Sequence, residues 1–284
     1  MYPAIFSLCN NFYEPEESSH HFSEASSSPC SGLNTPLEQA FFHPRTVGAR
    51  TRLDWTPRHL FTASILPRVW CRMAVLYADW ASHVPELRSL DTEDKVALMS
   101  ARATQCVCMW HAGVTLRRRS RDEVVLSGGS YFPRDEGAQK ALAGGENEAV
   151  LSFLRSVYNP VFEEMLHAGA DMGVSEEEVA ILKVLTLCVP VPALSAQGRR
   201  VIRDAQARYQ AALVEVLSTK GVMGGGSSPV RLYTIQRLST QMAWLSTIER
   251  VAQEACNHLS LMTLFNIAEM RGTFPYEIHV RRNT

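Results

Sequence analysis

Apolar positions along most of this chain recur at helical spacing. From Val69 to Trp80 they fall at 69, 73, 76 and 80, with 70, 74 and 77 beside them, a broad stripe of helical period. Pro85 then interrupts the chain. Asp91 offers a helix N-cap with Asp94 three residues later, close to a capping box. The run from Val96 to Leu116 is apolar nearly all round, as expected of a helix in the middle of a packed domain. Residues 122–133 change character: Val124, Val125 and Leu126, then Gly128-Gly129, then Tyr131 and Phe132 before Pro133 read as a short hairpin, the one sheet expected.

Helical period resumes at 146–168 and 175–188. The second helix opens on a full capping box, Ser175 with Glu178, and Val189-Pro190-Val191-Pro192 ends it. A helix over 195–217 carries Val201, Ala205, Tyr209, Ala212 and Val216 on one face. The glycines at 224–226 with Ser227 and Ser228 make a flexible loop; no strand precedes it and no Lys-Ser/Thr follows, so it does not read as a phosphate cradle. The last long helix, over 229–270, has an apolar stripe from Ile235 to Phe265 that outruns a monomer's core, and the excess invites a partner. Residues 1–55 are expected to be a disordered tail, Ser-rich between Ser18 and Thr35 and too poor in aliphatics to offset their ordering entropy, with 56–284 as the folded domain.

Composition narrows the function. Lys and Arg total 28 against 29 Asp and Glu, a net charge of -1, so the chain carries no basic footprint for nucleic acid. No apolar run approaches the ~20 residues of a membrane span, and Met1 to Cys9 lacks the basic leader of a signal peptide. The 7 cysteines are an odd number, mostly within apolar runs, which suits reduced core thiols. No Cys-x-x-Cys pair and no metal-ligand spacing occurs, so neither a zinc module nor a metal site is expected. His111 lies in an apolar helix with no carboxylate or nucleophile spaced to work with it, and no enzymatic site is legible.

The segment Trp80-Ala81-Ser82-His83-Val84-Pro85-Glu86-Leu87-Arg88-Ser89-Leu90-Asp91-Thr92-Glu93-Asp94-Lys95-Val96-Ala97-Leu98-Met99 closely resembles the signature that joins two helices of the nuclear-receptor ligand-binding domain. Its matching positions are Trp80, Ala81, Pro85, Leu87, Leu90, Asp94, Lys95 and Leu98. Ser130-Tyr131-Phe132-Pro133-Arg134 is similar to that family's hairpin, and Leu264 to Met270 to the end of its penultimate helix. The likeness covers about residues 60–280 and is nearest to hepatocyte nuclear factor 4 and the expanded nematode receptors related to it. It implies an all-α fold, a three-layer antiparallel helical sandwich with one short β-hairpin. Asp94 and Lys95 would hold the turn between two crossing helices, with Trp80, Leu87, Leu90 and Leu98 filling the junction. The outward face would be a shallow apolar groove, with Val96 and Met99 in it, that receives a coregulator helix of Leu-x-x-Leu-Leu pattern.

The resemblance is imperfect where chemistry matters. The family clamps a partner helix between a Lys and a Glu, in keeping with the helix dipole. Here Ser82 occupies the Lys position, and Ser100 a second basic position. The final switch helix is matched only by Phe274-Pro275-Tyr276-Glu277-Ile278-His279; Glu277 survives, while Pro275, tolerable only in a first turn, leaves open whether a helix forms. By resemblance, the ligand pocket would draw on Cys71, Val75, Met109, Trp110, Val114, Leu126 and Phe132. Val114 stands where relatives carry a carboxylate-binding Arg. Arg117 is either a substitute anchor, a solvated helix end or, with its neighbours, part of an import signal. Whether Met109 and Trp110 line the pocket or fill it stays open.

The implied function is a transcriptional regulator that senses a fatty acid or other apolar ligand, uses no cofactor, and acts in the nucleus, with the cytoplasm also open. It would bind coregulator helices and a homo- or heterodimeric receptor partner through 195–217 and 229–270, without contacting DNA or membrane itself. The alternatives are a repressor that titrates other receptors by pairing, and a lipid-binding protein with no transcriptional role. Whether the chain is whole or part of a longer receptor stays open.

Overall fold

The computed structural model describes residues 30–50, 55–120, 122–142, 148–166, 169–170, 173–223 and 230–281. Its main helices are α1 (Leu37–Phe42), α2 (Leu66–Ser82), α3 (Thr92–Arg118), α4 (Glu136–Leu142), α5 (Glu148–Pro160), α6 (Glu176–Leu187), α7 (Ala196–Met223) and α8 (Val230–Phe265). α3 packs against α2, α6 and α8; α5 packs on α8, and α7 on both α6 and α8. This is the expected all-helical sandwich. The α2–α3 junction forms as the signature implies: Pro85–Ser89 make a tight 3-10 turn, and Trp80, Ala81, Leu87, Leu90 and Leu98 are buried.

Local signals set the helix ends. Asp91 caps α3 by accepting the Asp94 N–H at 2.7 Å, and Arg119 closes it in the left-handed region with φ 55. The Asp94 carboxylate does not hold the interhelical turn. It accepts the Ser195 N–H at 2.7 Å and the Ser195 hydroxyl at 2.6 Å, fastening α3 to the start of α7. Ser175 and Glu178 form the expected capping box on α6. Glu178 is wholly buried and also binds Arg237, Lys220 and Gln241, tying α6 to α7 and α8. Burial pushes its carboxyl up, but the bonds from Arg237 and the Ser175 N–H, with the Lys220 charge, outweigh this and hold it down at about 2. The buried Arg102 guanidinium donates to the Thr186 carbonyl at 2.8 Å and pairs with Glu249, joining α3, α6 and α8.

Some boundaries differ from the pattern. The last long helix stops at Phe265, because Asn266, Ala268 and Glu269 all take positive φ and turn the chain back. After α5 the chain continues as a wider π-helical turn, Val161–Leu166, following Pro160. The hairpin pairs β2 (Glu123–Val125) antiparallel with β3 (Ser130–Pro133), but a further strand, β1 (His59–Leu60), joins β3 in parallel, giving the order β1-β3-β2. Two residues carry no visible strand period.

The larger departure is at the N-terminus. Residues 30–50, placed by composition within the tail, are folded onto the domain; residues 1–29 and 51–54 lie outside the described ones. Leu33, Ala40, Phe41 and Val47 are buried, so a few apolar residues anchor a stretch of low average hydrophobicity. Arg50 grips Asp79 of α2 with two bonds, at 2.8 and 2.7 Å. Gly32 packs so tightly on the Val47 carbonyl, and Gly272 on that of Leu33, that neither site has room for a Cβ.

Candidate functional site

The site is built where both ends of the described chain meet α2 and α3. Beyond α8, Thr273–Pro275 and Tyr276–Val280 form a short helical stretch, hereafter the C-terminal turn. Pro275 lies in its first turn, where its missing N–H has no bond to break. Phe274 is fully buried, edge-on to Trp70 of α2 at 4.9 Å and to Phe41 of α1 at 6.0 Å. Phe41 in turn lies edge-on to Tyr77 of α2 at 6.2 Å. α1 therefore packs on α2, α3 and the C-terminal turn together.

Glu277 shows what this corner does chemically. Its Oε2 accepts the N–H of Leu37, the first residue of α1, at 2.7 Å. Pro36 at the N-cap supplies no side-chain acceptor, so a carboxylate 240 positions away satisfies an orphan amide and the positive helix end. α1 turns Leu37, Ala40 and Phe41 inward, the i, i+3, i+4 pattern of an amphipathic helix in an apolar cleft, and leaves Glu38 and Gln39 exposed. The acidic half of the expected clamp is thus engaged by the chain's own helix.

The other expected groove residues lie on the packed α2–α3 pair. Ser82 is exposed at the end of α2, and its hydroxyl donates to the Asp79 carbonyl at 2.7 Å. Val96 and Ser100 are half-buried in the first turns of α3; Met99 is buried, and its carbonyl accepts the Tyr77 hydroxyl at 2.8 Å. Lys95 is half-buried and Pro85 exposed.

A small apolar cavity of about 80 Å³ lies under this corner, between Trp70 and Tyr77 of α2, Thr104 of α3, Leu259 of α8, Phe41 and His279. His279 is buried, accepts the Trp70 indole N–H at 3.1 Å, and lies 3.5 Å from the Cys256 sulfur. None of the pocket residues expected from the sequence lines this cavity. Cys71 faces Cys30, with sulfurs 3.0 Å apart, and Val75 lies under Gly48, so both meet the N-terminal segment. Met109 and Val114 are buried further along α3. Trp110 fills space there, edge-on to Trp80 at 6.0 Å, with the Lys183 ammonium 3.9 Å over its ring. Arg117 is exposed and faces Glu176 at 3.4 Å. Leu126 and Phe132 are fully buried, and Phe132 lies 5.5 Å from Tyr158. His111 lies beside Tyr158, ring centroids 6.1 Å apart, and burial pushes its imidazole down to about 4.

Sequence reasoning passed over Phe41, Trp70, Thr104 and His279. The pattern Leu37-x-x-Ala40-Phe41 after Thr35-Pro36 was the available signal for α1; nothing in the sequence marks Trp70 and His279 as neighbours. Among the described residues, no group of three or more His, Cys, Asp or Glu could hold a metal ion, and no helix is long and apolar enough to cross a membrane.

Comparison with known proteins agrees with the architecture. The family profile for the ligand-binding domain of nuclear hormone receptor matches residues 58–265. Nuclear hormone receptor family member nhr-100 of Caenorhabditis elegans is 26% identical over 252 residues, covering 87% of this chain and 55% of that protein. Family member nhr-4 of the same organism is 21% identical over 237 residues, covering 84% and 45%. The chain thus spans about half the length of the curated relatives it matches. Both α1 and the C-terminal turn fall outside the profile match.

Proposed function

The chain belongs to the family of the nuclear hormone receptor ligand-binding domain, and from that premise we propose that it serves a transcription regulator as the module that docks a helix of a coregulator. The observation that carries this reading is the Glu277 carboxylate on the first amide of α1. A site that caps and seats one short amphipathic helix has the chemistry to seat another. With Ser82 and Ser100 at the usual basic positions, a partner helix would be held by charge at its N-terminal end and by apolar contact elsewhere.

The ligand would be small and apolar, and its admission would be tied to the terminal segments. About 80 Å³ is well under the ~300–1,000 Å³ of ordinary ligand sites. A larger molecule fits only if Phe41, Ile278 or His279 moves. The cavity wall offers Thr104 and His279 but no Lys or Arg, which suits a hydroxyl or carbonyl group better than a fatty-acid carboxylate. Pairing with another receptor, or with a second copy, would use α7 and α8, where Val214, Leu232 and Ile235 are exposed. Those residues equally support a regulator that acts by titrating its dimer partner. The nucleus is the proposed place of action.

Fluorescence anisotropy with a labelled Leu-x-x-Leu-Leu helical peptide tests the docking claim. Saturable binding that Glu277→Lys weakens is expected. Absence of saturable binding to the chain, and to a variant whose N-terminal segment is loosened, would overturn it.

A further inference from the structure

Cys30 begins the described N-terminal segment, and Cys71 is buried on α2 beneath it. Their sulfurs are 3.0 Å apart, about 1 Å from the ~2.05 Å of a disulfide bond. The two thiols are inequivalent. The hydrogen bond shared with Cys71 lowers the Cys30 thiol, partial burial opposes this, and the Gly32 and Leu33 amides with the Arg68 charge help bring it to about 7. The same bond, with burial, pushes Cys71 up. A half-exposed sulfur thus reaches the thiolate form beside a thiol that keeps its proton. Elsewhere the contrast is plain: burial pushes the buried thiols of Cys106 and Cys108 up to about 12.

We propose that Cys30 and Cys71 are a dithiol that hydrogen peroxide converts to a disulfide, latching residues 30–50 onto α2 across the partner cleft. The Cys30 thiolate attacks a peroxide oxygen; an S–O bond forms, the O–O bond breaks, and the leaving hydroxide takes up a proton as water. Cys71 then attacks the sulfenic sulfur; the S–S bond forms, the S–O bond breaks, and the hydroxyl departs with the Cys71 proton as a second water. Two electrons pass from the sulfurs to the peroxide, and a reductant thiol reverses the change. The segment so tied carries α1, Val47 at the α2 face and the Arg50–Asp79 pair. The disulfide itself stands on geometry alone, whereas its effect on partner binding rests on the docking function proposed above.

The whole chain is treated with hydrogen peroxide, its remaining thiols are alkylated, and the digest is read by mass spectrometry. A peptide linking Cys30 to Cys71 and lighter by two hydrogens is expected, absent from Cys30→Ser and Cys71→Ser, with Cys106 and Cys108 still alkylated after unfolding. The oxidised chain should bind the labelled helical peptide about tenfold more weakly than the dithiothreitol-reduced chain, as the cleft-open fraction falls by that factor. Cys30→Ser should bind alike in both conditions, and hydrogen exchange at the Leu37 amide should slow on oxidation only where Cys30 is present. Failure of the link to form overturns the proposal. A link that leaves peptide affinity and Leu37 exchange unchanged overturns the latch. If the link forms but no redox state or variant binds peptide, the docking function fails while the disulfide stands.

Discussion

Replacing Phe41 by Ala isolates the contact that holds α1 in place. Phe41 is 3% exposed, edge-on to Tyr77 at 6.2 Å and to Phe274 at 6.0 Å. Truncating a buried Phe costs ~3–5 kcal/mol when the surrounding cavity persists. Here the segment can peel away and avoid part of that cost, so the lower end, ~3 kcal/mol, bounds the shift in the docked state. At ~1.4 kcal/mol per factor of ten, the docked-to-undocked ratio falls by about 100-fold. If α1 and a partner helix compete for one cleft, apparent affinity for the labelled peptide should rise by up to about 100-fold, a smaller gain reporting how far the docked state led. Anisotropy gives the affinity, and hydrogen exchange at the Leu37 amide reports α1 directly. Phe42→Ala, at a side chain 38% exposed, serves as the control and should change neither. Faster Leu37 exchange with unchanged peptide affinity would refute competition; no change in either would refute the anchoring role of Phe41.

Glu178→Gln should destabilise the domain by ~3 kcal/mol, the value matching a carboxyl lowered from 4.5 to about 2 in a wholly buried site. Because the folded value is depressed, that stabilisation is complete above pH about 4.5 and is lost as pH falls through about 2, so urea midpoints of parent and variant should converge in acid. Asp94→Asn and Ser195→Ala should each cost ~1–3 kcal/mol and combine less than additively in urea titrations, since both disrupt the bond from the Ser195 hydroxyl to the Asp94 carboxylate. Ile235, 61% exposed on α8, should become dispensable for folding but not for pairing: Ile235→Asp is expected to abolish self-association by analytical ultracentrifugation while leaving the melting temperature within a few degrees.

Sequence disclosed the elements whose causes are local. Asp91 and the Ser175–Glu178 box announce their helices because a cap acts within one turn, and the α2–α3 junction is legible because Trp80 to Met99 is contiguous. The partners of these polar groups were hidden, because they lie far along the chain. Asp94 meets Ser195, Arg102 meets Glu249, and Glu277 meets Leu37. Composition misled at residues 30–50 for a related reason. An average over a Ser-rich stretch dilutes Leu33, Ala40, Phe41 and Val47, yet these supply the burial that holds the segment down. Resemblance named Met109, Trp110 and Val114 for a pocket; the small cavity beside Phe41 lies at Thr104 instead, and Trp110 packs edge-on to Trp80.

Phe41 belongs to two walls at once, and that joint membership couples the site's two occupants. Its ring lines the cavity beside Trp70 and His279, and it is also the inward residue of the helix that Glu277 caps. A partner helix that displaces α1 withdraws one wall of the cavity and enlarges it. A ligand too large for about 80 Å³ pushes out the same ring and releases α1 from the cleft. Each occupant then favours the state the other needs, and linkage requires the two effects to be equal in free energy. Peptide affinity measured with and without a cavity-filling apolar molecule, and that molecule's affinity with and without saturating peptide, should therefore change by the same factor. A factor of one in both directions would mean that α1 and the cavity wall move independently, despite the ring they share.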